Sequence, residues 1–291
     1  MQPKHEKRGT GALLCLAATL AFSIGGVCVK ASPGLSPMAL NSGRCFVAAL
    51  LTGAVCLLRG HRIKLNFAVI TGALSVCLTG IFYIFSARLS TAANAIILQY
   101  TSPVFVALLL WAFQGQKPSK GKLLWVGVVF CGTVLCCGAG GGNSVAGNLF
   151  GLASGLTFAG VFLSGQMEEA DALSACLLGE LLAGVTGLPF LMNEPVDTAS
   201  LACIVAMGLI QTGSAYLLLS AGLARTDPLT ANLICALEPV ANPLWVALLC
   251  GEIPPLRTLL GGAVVVFGVV CYQKQQKEKI PGKAAAIVQR K

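Results

Sequence analysis

Apolar positions along the chain gather into ten stretches, at about 10–30, 37–58, 66–87, 92–113, 122–140, 147–166, 172–192, 199–222, 229–250 and 256–273. Each is near the roughly 20 residues that carry an α-helix across the hydrocarbon core of a bilayer. Between them stand short breaks of turn formers and charge: SPGLSP, RGHRIK, RLS, QGQKPSKGK, GAGGGNSVAGN, MEEAD, NEPVD, ARTDP and GEIPPLR. The apolar/polar alternation of a membrane β-barrel is absent. The pattern therefore predicts an all-α integral membrane protein of ten transmembrane helices. Its first stretch has no small-residue cleavage site and passes through a compact loop into the second, so it reads as a span rather than a removed signal.

The pattern also repeats. Displaced by 136 residues, Gly11, Leu13, Leu16, Ala17, Leu20 and Phe22 meet identical residues at Gly147, Leu149, Leu152, Ala153, Leu156 and Phe158. The same displacement, without a gap, pairs Gly72 with Gly208, Pro103 with Pro239, Gly115 with Gly251, Pro118 with Pro254 and Gly132 with Gly268. Two five-helix repeats are implied, 10–140 and 147–273, followed by a basic tail at 274–291. Five is odd, so the second repeat must enter the membrane with the opposite orientation to the first. Inverted repeats of this kind support an outward and an inward state of similar energy around a site near the bilayer midplane, which is the architecture of a carrier.

Composition agrees: 56% of the 291 residues are hydrophobic, 11% are charged, and mean hydropathy is +0.81, too little charge to cover a water-soluble globule. Charge placement sets the expected topology. With the N-terminus in the cytoplasm, sixteen of the twenty Lys and Arg fall on the inner side, three (Lys30, Arg88, Arg257) on the outer side, and Arg44 lies within a helix. That asymmetry predicts a multi-pass protein with both termini cytoplasmic. The net charge of +9 is absorbed by topology and anionic headgroups, leaving no nucleic-acid-binding patch. The thirteen cysteines contain no CxxC pair, and the two histidines, His5 and His61, lie in the tail and a loop, so no metal site or cofactor is expected. Most of these thiols sit in apolar stretches, where they pack as small hydrophobes.

Two segments resemble a known family. ARLSTAANAIILQYTSPVFVALL at 87–109 and AGLARTDPLTANLICALEPVANPLWVALL at 221–249 are similar to the fourth and ninth helices of the drug/metabolite transporter superfamily, and GEIPPLRTLLGGAVVVFGVV resembles the hairpin before its last helix. The likeness runs from about 10 to 273 and is nearest to the ten-helix EamA-type members. The first half departs from it at Gln116, where the family usually has glutamate. The resemblance implies a secondary transporter, an exporter or permease of small metabolites such as amino acids. Together with the short tails it implies the inner (cell) membrane of a bacterial-type cell.

Candidate chemistry follows from the polar groups inside the spans. Only Arg44, Glu180 and Glu238 are ionisable residues deep within them. A charge at a helix centre costs at least about 2.5–3.5 kcal/mol, so each needs a partner. The displacement of 136 superposes Arg44 on Glu180, which suggests an ion pair holding the repeats in register. Glu238 superposes on the uncharged Ser102 and neighbours Pro239 and Pro243, which remove helix donors and predict a kink, as does Pro103 in the other repeat. Freed backbone groups are tolerated there only beside protein or a water-filled cavity. Glu238 is thus the leading candidate to bind a substrate ammonium or exchange a coupling proton. Asn94, Tyr83, Gln211, Asn232 and Asn242 are the other candidate lining residues, with Gln99, Tyr100, Ser214 and Tyr216 available beside them. The sequence carries neither a nucleotide-binding loop nor a carboxylate pair on one helix, which argues against an enzyme. The alternative to a carrier is a non-coupled channel or a solute-binding receptor built on the same bundle. The expected partners are a small-molecule substrate and the lipid bilayer; nothing bears on oligomeric state.

Overall fold

The computed structural model describes residues 4–24, 34–90, 92–115, 117–137, 144–251 and 256–288. Along them run α1 (Lys4–Phe22), α2 (Pro37–Leu58), α3 (Phe67–Leu89), α4 (Ala92–Gln99), α5 (Ser102–Gln114), α6 (Lys120–Cys137), α7 (Val145–Ser164), α8 (Ala172–Asn193), α9 (Thr198–Ala206), α10 (Ala215–Leu223), α11 (Pro228–Cys235), α12 (Glu238–Cys250) and α13 (Leu256–Val288). A π-helical stretch, Met207–Ser214, joins α9 to α10.

The polar breaks start these helices by a common device. Ser36, Asn66, Ser144, Asp171, Asp197 and Asp227 each stand just before a helix and accept the backbone N–H three residues on. Each cap satisfies a donor that would otherwise be orphaned and is worth about 1 kcal/mol. Two glycines end helices at equivalent places in the two repeats: Gly115 closes α5 at φ 63° and Gly251 closes α12 at φ 72°, a left-handed conformation that side chains disfavour.

Among the described residues, eight helices or helix runs are long and apolar enough to cross a membrane. With the apolar part of α1, Gly9–Phe22, and with α6, they make ten spans. The fourth is α4 plus α5, the eighth α9 through α10, the ninth α11 plus α12. Breaks that alternate passage puts on one face meet each other. Asn66 Nδ2 donates to the Glu169 carbonyl at 2.9 Å, and His61 Nε2 lies 3.0 Å from Asp171 Oδ2. At the other face the Ser36 N–H donates to Glu194 Oε2 at 2.7 Å and Trp245 Nε1 donates to Ser23 Oγ at 2.9 Å. Ten alternating passes make five per repeat, and the second repeat is inverted.

The repeats interleave rather than stand apart. α2 packs on α8 and α6 on α13, each pair formed of symmetry equivalents, while α3 against α7 mirrors α10 against α1. In lipid there is no hydrophobic gain in joining two apolar helices, so close approach and dispersion must do it. Gly179 illustrates the point: a Cβ there would stand 2.8 Å from the Ala73 carbonyl of α3, so only glycine lets α8 settle this near. Outward, Leu50, Leu57 and Phe113 are three-quarters exposed or more, an apolar surface that suits acyl chains.

The two ends of the bundle compare differently with the sequence reading. The helix of the first span stops at Phe22, with Ser23 turning back to bond the Leu20 carbonyl, rather than running to residue 30; residues 25–33 lie outside the described ones. At the other end the last span, Leu256–Gln275, agrees with the expected 256–273, and α13 continues through the basic tail to Val288.

Candidate functional site

The fourth and ninth spans are each broken in the middle. α4 ends at Gln99 and α5 begins at Ser102; α11 ends at Cys235 and α12 begins at Glu238. The displacement of 136 carries one break onto the other. In both, the chain tightens into a turn, Thr101 N–H donating to the Leu98 carbonyl at 3.1 Å and Leu237 N–H to the Ile234 carbonyl at 3.0 Å. The cause is the proline that follows. Pro103 and Pro239 have no N–H to offer the carbonyls four residues back, those of Gln99 and Cys235 where α4 and α11 end, and their rings crowd those carbonyls. Each instead occupies the first turn of a new helix, where that N–H has no role. The expected kinks are therefore complete interruptions at Pro103 and Pro239. Pro243 lies inside α12, and the environment of its ring is outside the described residues.

Interruption changes what Glu238 is. It becomes the first residue of α12, at the end where a helix carries partial positive charge and favours a carboxylate. Tyr100, in the opposite break, donates its phenol to Glu238 Oε2 at 2.6 Å, a length typical of a strong O–H···O bond. A second bond crosses in the other sense: Ser102, first residue of α5, donates to Asn232 Oδ1 of α11 at 3.0 Å. The two spans thus cross at their breaks, and each bond ties the incoming half of one span to the outgoing half of the other. The Tyr100 ring is buried edge-on against Phe158 of α7, with centroids 6.2 Å apart.

α7 meets the first break at a glycine. A Cβ on Gly155 of α7 would stand 2.8 Å from the Leu98 carbonyl and 2.6 Å from Thr101 Oγ1, so its absence lets α7 pack directly onto the turn.

Arg44 and Glu180 do not form the expected ion pair. Their helices pack side by side and antiparallel, but the two side chains leave in different directions. Arg44, half-buried, donates from Nε and Nη2 to Asn41 Oδ1 at 3.1 and 2.8 Å and from Nη1 to Gln211 Oε1 at 2.7 Å. Glu180 is fully buried beside Thr52, and neither its carboxyl oxygens nor the Thr52 hydroxyl has a hydrogen-bond partner among the described residues. Superposition in sequence placed the two at equivalent positions, and equivalence across an axis does not bring side chains into contact.

The remaining expected residues divide. Gln211, in the π-helical stretch, holds Arg44; Asn232 holds Ser102; Tyr83, half-buried on α3, lies within electrostatic range of Tyr100. Asn242 is half-buried one turn beyond Glu238 on the same helix. The side chain of Asn94 lies outside the described residues. Two partners deserve addition: Asn41, which orients Arg44, and Tyr100, which sequence offered only as one lining group among several although it sits at the break that Pro103 announces. Among the described residues no cluster of His, Cys, Asp and Glu could hold a metal ion, and their cysteines are free thiols.

A family model for the EamA-like transporter family matches the chain twice, over residues 9–137 and 145–272. The chain belongs to the EamA-like transporter family. An uncharacterized transporter of Archaeoglobus fulgidus is 28% identical over 196 residues, 66% of this chain and 71% of the archaeal one. In fold, this EamA-like protein matches a crystal structure of a protein with a TM-score of 0.78, covering 90% of this chain and 96% of the other at 18% identity. The two matched segments are the two repeats, so the EamA-like chain is a membrane transporter whose broken fourth and ninth spans occupy equivalent places in its two family units.

Proposed function

We propose that the protein is a secondary transporter that exports a small polar metabolite, such as an amino acid, across the cell membrane by alternating access, with both termini cytoplasmic. The crossing of the two interrupted spans carries this reading. Half-helices hinged at Tyr100–Thr101 and Ala236–Leu237 can tilt without breaking continuous helix hydrogen bonds, and inverted repeats supply two related arrangements for them. Glu238 stands at that crossing and is the substrate-contacting acid: it takes the ammonium of the solute in the loaded state and a proton on the return, which couples export to proton entry. Tyr83, Asn94, Gln211, Asn232 and Asn242 supply polar lining around it.

The test compares metabolites in the medium of cells carrying wild type, Glu238→Gln or empty vector, at equal membrane levels. A solute that accumulates outside only with wild type supports export and places Glu238 in the mechanism. Identical media in all three overturn it. Counterflow in proteoliposomes then separates a carrier, which trades labelled for unlabelled solute and saturates, from a channel, which does neither.

A further inference from the structure

Arg44 is a cation in the middle of the second span that no described carboxylate answers. Its frame is made of neutral amides. Asn41 lies one turn earlier on α2, and Gln211 reaches across from the π-helical stretch. That stretch is pressed onto α2 at this level, since a Cβ on Gly208 would stand 2.8 Å from the Arg44 carbonyl and nearer still to Val47. Amides orient a guanidinium without neutralising it, so the charge is held in place and left uncompensated, a costly state in a protein interior unless an anion completes it.

Donors are spare. A guanidinium has five N–H groups, and three are directed at Asn41 and Gln211, leaving one on each terminal nitrogen. Asn41 is 1% exposed, and its Nδ2 donor has no partner among the described residues. Two guanidinium N–H groups and the Asn41 Nδ2 amide, whose own Oδ1 holds the same guanidinium, are therefore left without an acceptor among the described residues. Across the bundle, Glu238 is close enough to act electrostatically on Arg44 without forming an ion pair with it. Only one of the Glu238 oxygens, Oε2, takes the Tyr100 phenol.

We propose that Arg44, framed by Asn41 and Gln211, is the carboxylate-binding end of the substrate site, and that the solute is a zwitterion whose carboxylate docks on Arg44 while its ammonium reaches Glu238. This rests on the transporter reading above and specifies its substrate. Charge balance selects a carboxylate over a phosphate: one cationic pole and one anionic pole are both neutralised by a monoanion joined to an ammonium, whereas a phosphate dianion leaves net charge inside the membrane. The planar fork of arginine matches the two oxygens of a carboxylate, which a lysine cannot reproduce.

The experiment uses the full chain purified in lipid nanodiscs. The proteinogenic amino acids are screened singly by thermal stabilisation, and each binder is compared with its carboxamide and its decarboxylated amine, for wild type, Arg44→Lys and Arg44→Gln. The expected result is that an amino acid stabilises wild type, its carboxamide and amine do not, Arg44→Lys weakens binding by about tenfold or more, and Arg44→Gln abolishes it. Carboxamide binding equal to the acid, or acid binding unchanged in Arg44→Gln, overturns the proposal. Should Arg44→Gln fail to fold, the acid-to-carboxamide comparison on wild type still decides. If no amino acid binds while the medium comparison reveals an exported solute, the zwitterion proposal falls and the transporter reading stands. If wild type exports nothing yet an amino acid binds through Arg44, the opposite holds.

Discussion

Tyr100 and Glu238 form the shortest polar contact between the two crossing spans, and removing either partner has a distinct expected result. Tyr100→Phe leaves the carboxylate in place and deletes its donor, a loss of about 1.5–3 kcal/mol for a hydrogen bond to a charged group. Initial export rates in proteoliposomes should fall about tenfold or more, whereas Glu238→Gln should abolish transport with membrane levels intact; equal rates for Tyr100→Phe and wild type would contradict this role. Glu180 predicts the reverse. Its carboxyl is buried with no hydrogen-bond partner among the described residues, so Glu180→Gln, which removes the ionisable group and keeps its shape, should raise the melting temperature of the purified protein. A lower melting temperature would mean that the acid makes a stabilising contact.

At the scale of elements, the breaks depend on proline chemistry and on what covers them. Pro103→Ala restores the N–H that lets α4 run into α5, and it should leave expression unchanged while slowing transport, as measured by counterflow. Gly155→Leu adds bulk where a Cβ already stands 2.8 Å from a carbonyl, and overpacking of this kind costs about 1–3 kcal/mol, read as a lower melting temperature. At the rim, the hydrogen bonds from Ser200 hold the Asp197 carboxyl below the usual aspartate range. A group whose folded value is depressed contributes stability that is present above its unfolded value and is lost as pH falls through the folded one. Amide exchange in the first turn of α9 should therefore quicken on acidification below the ordinary aspartate range, and Asp197→Ala should remove that dependence. The element boundaries were legible because the capping residues are themselves the polar breaks between apolar runs. The breaks at Tyr100 and Ala236 were half legible: proline announces a disturbed helix, but whether it kinks or stops depends on tertiary partners, such as Asn232 and Ser102, that sequence spacing does not rank. The π-helical stretch carried no sequence signal, since Met207–Ser214 reads as an ordinary apolar run.

Across the whole molecule, the displacement of 136 anticipated both the ten-span inverted architecture and the equivalence of the two breaks, because a repeat constrains every position at once. It misled at Arg44, where equivalence to Glu180 looked like contact. Alternation of the spans also predicts that a tag inserted in the Arg59–Lys64 loop and one inserted at Glu194–Asp197 lie on opposite sides of the membrane, the first cytoplasmic, which impermeant labelling of intact cells checks. Finally, the crossed bonds have a hereditary consequence. Each needs one residue that only the first half of the gene encodes and one that only the second half encodes. A pair built from two first halves would set Tyr100 against Ser102, and a pair of second halves would bring Glu238 to an alanine. If a duplicated ancestor worked as two identical chains, this descendant has divided the labour between its halves, and neither could be exchanged for a copy of its sibling.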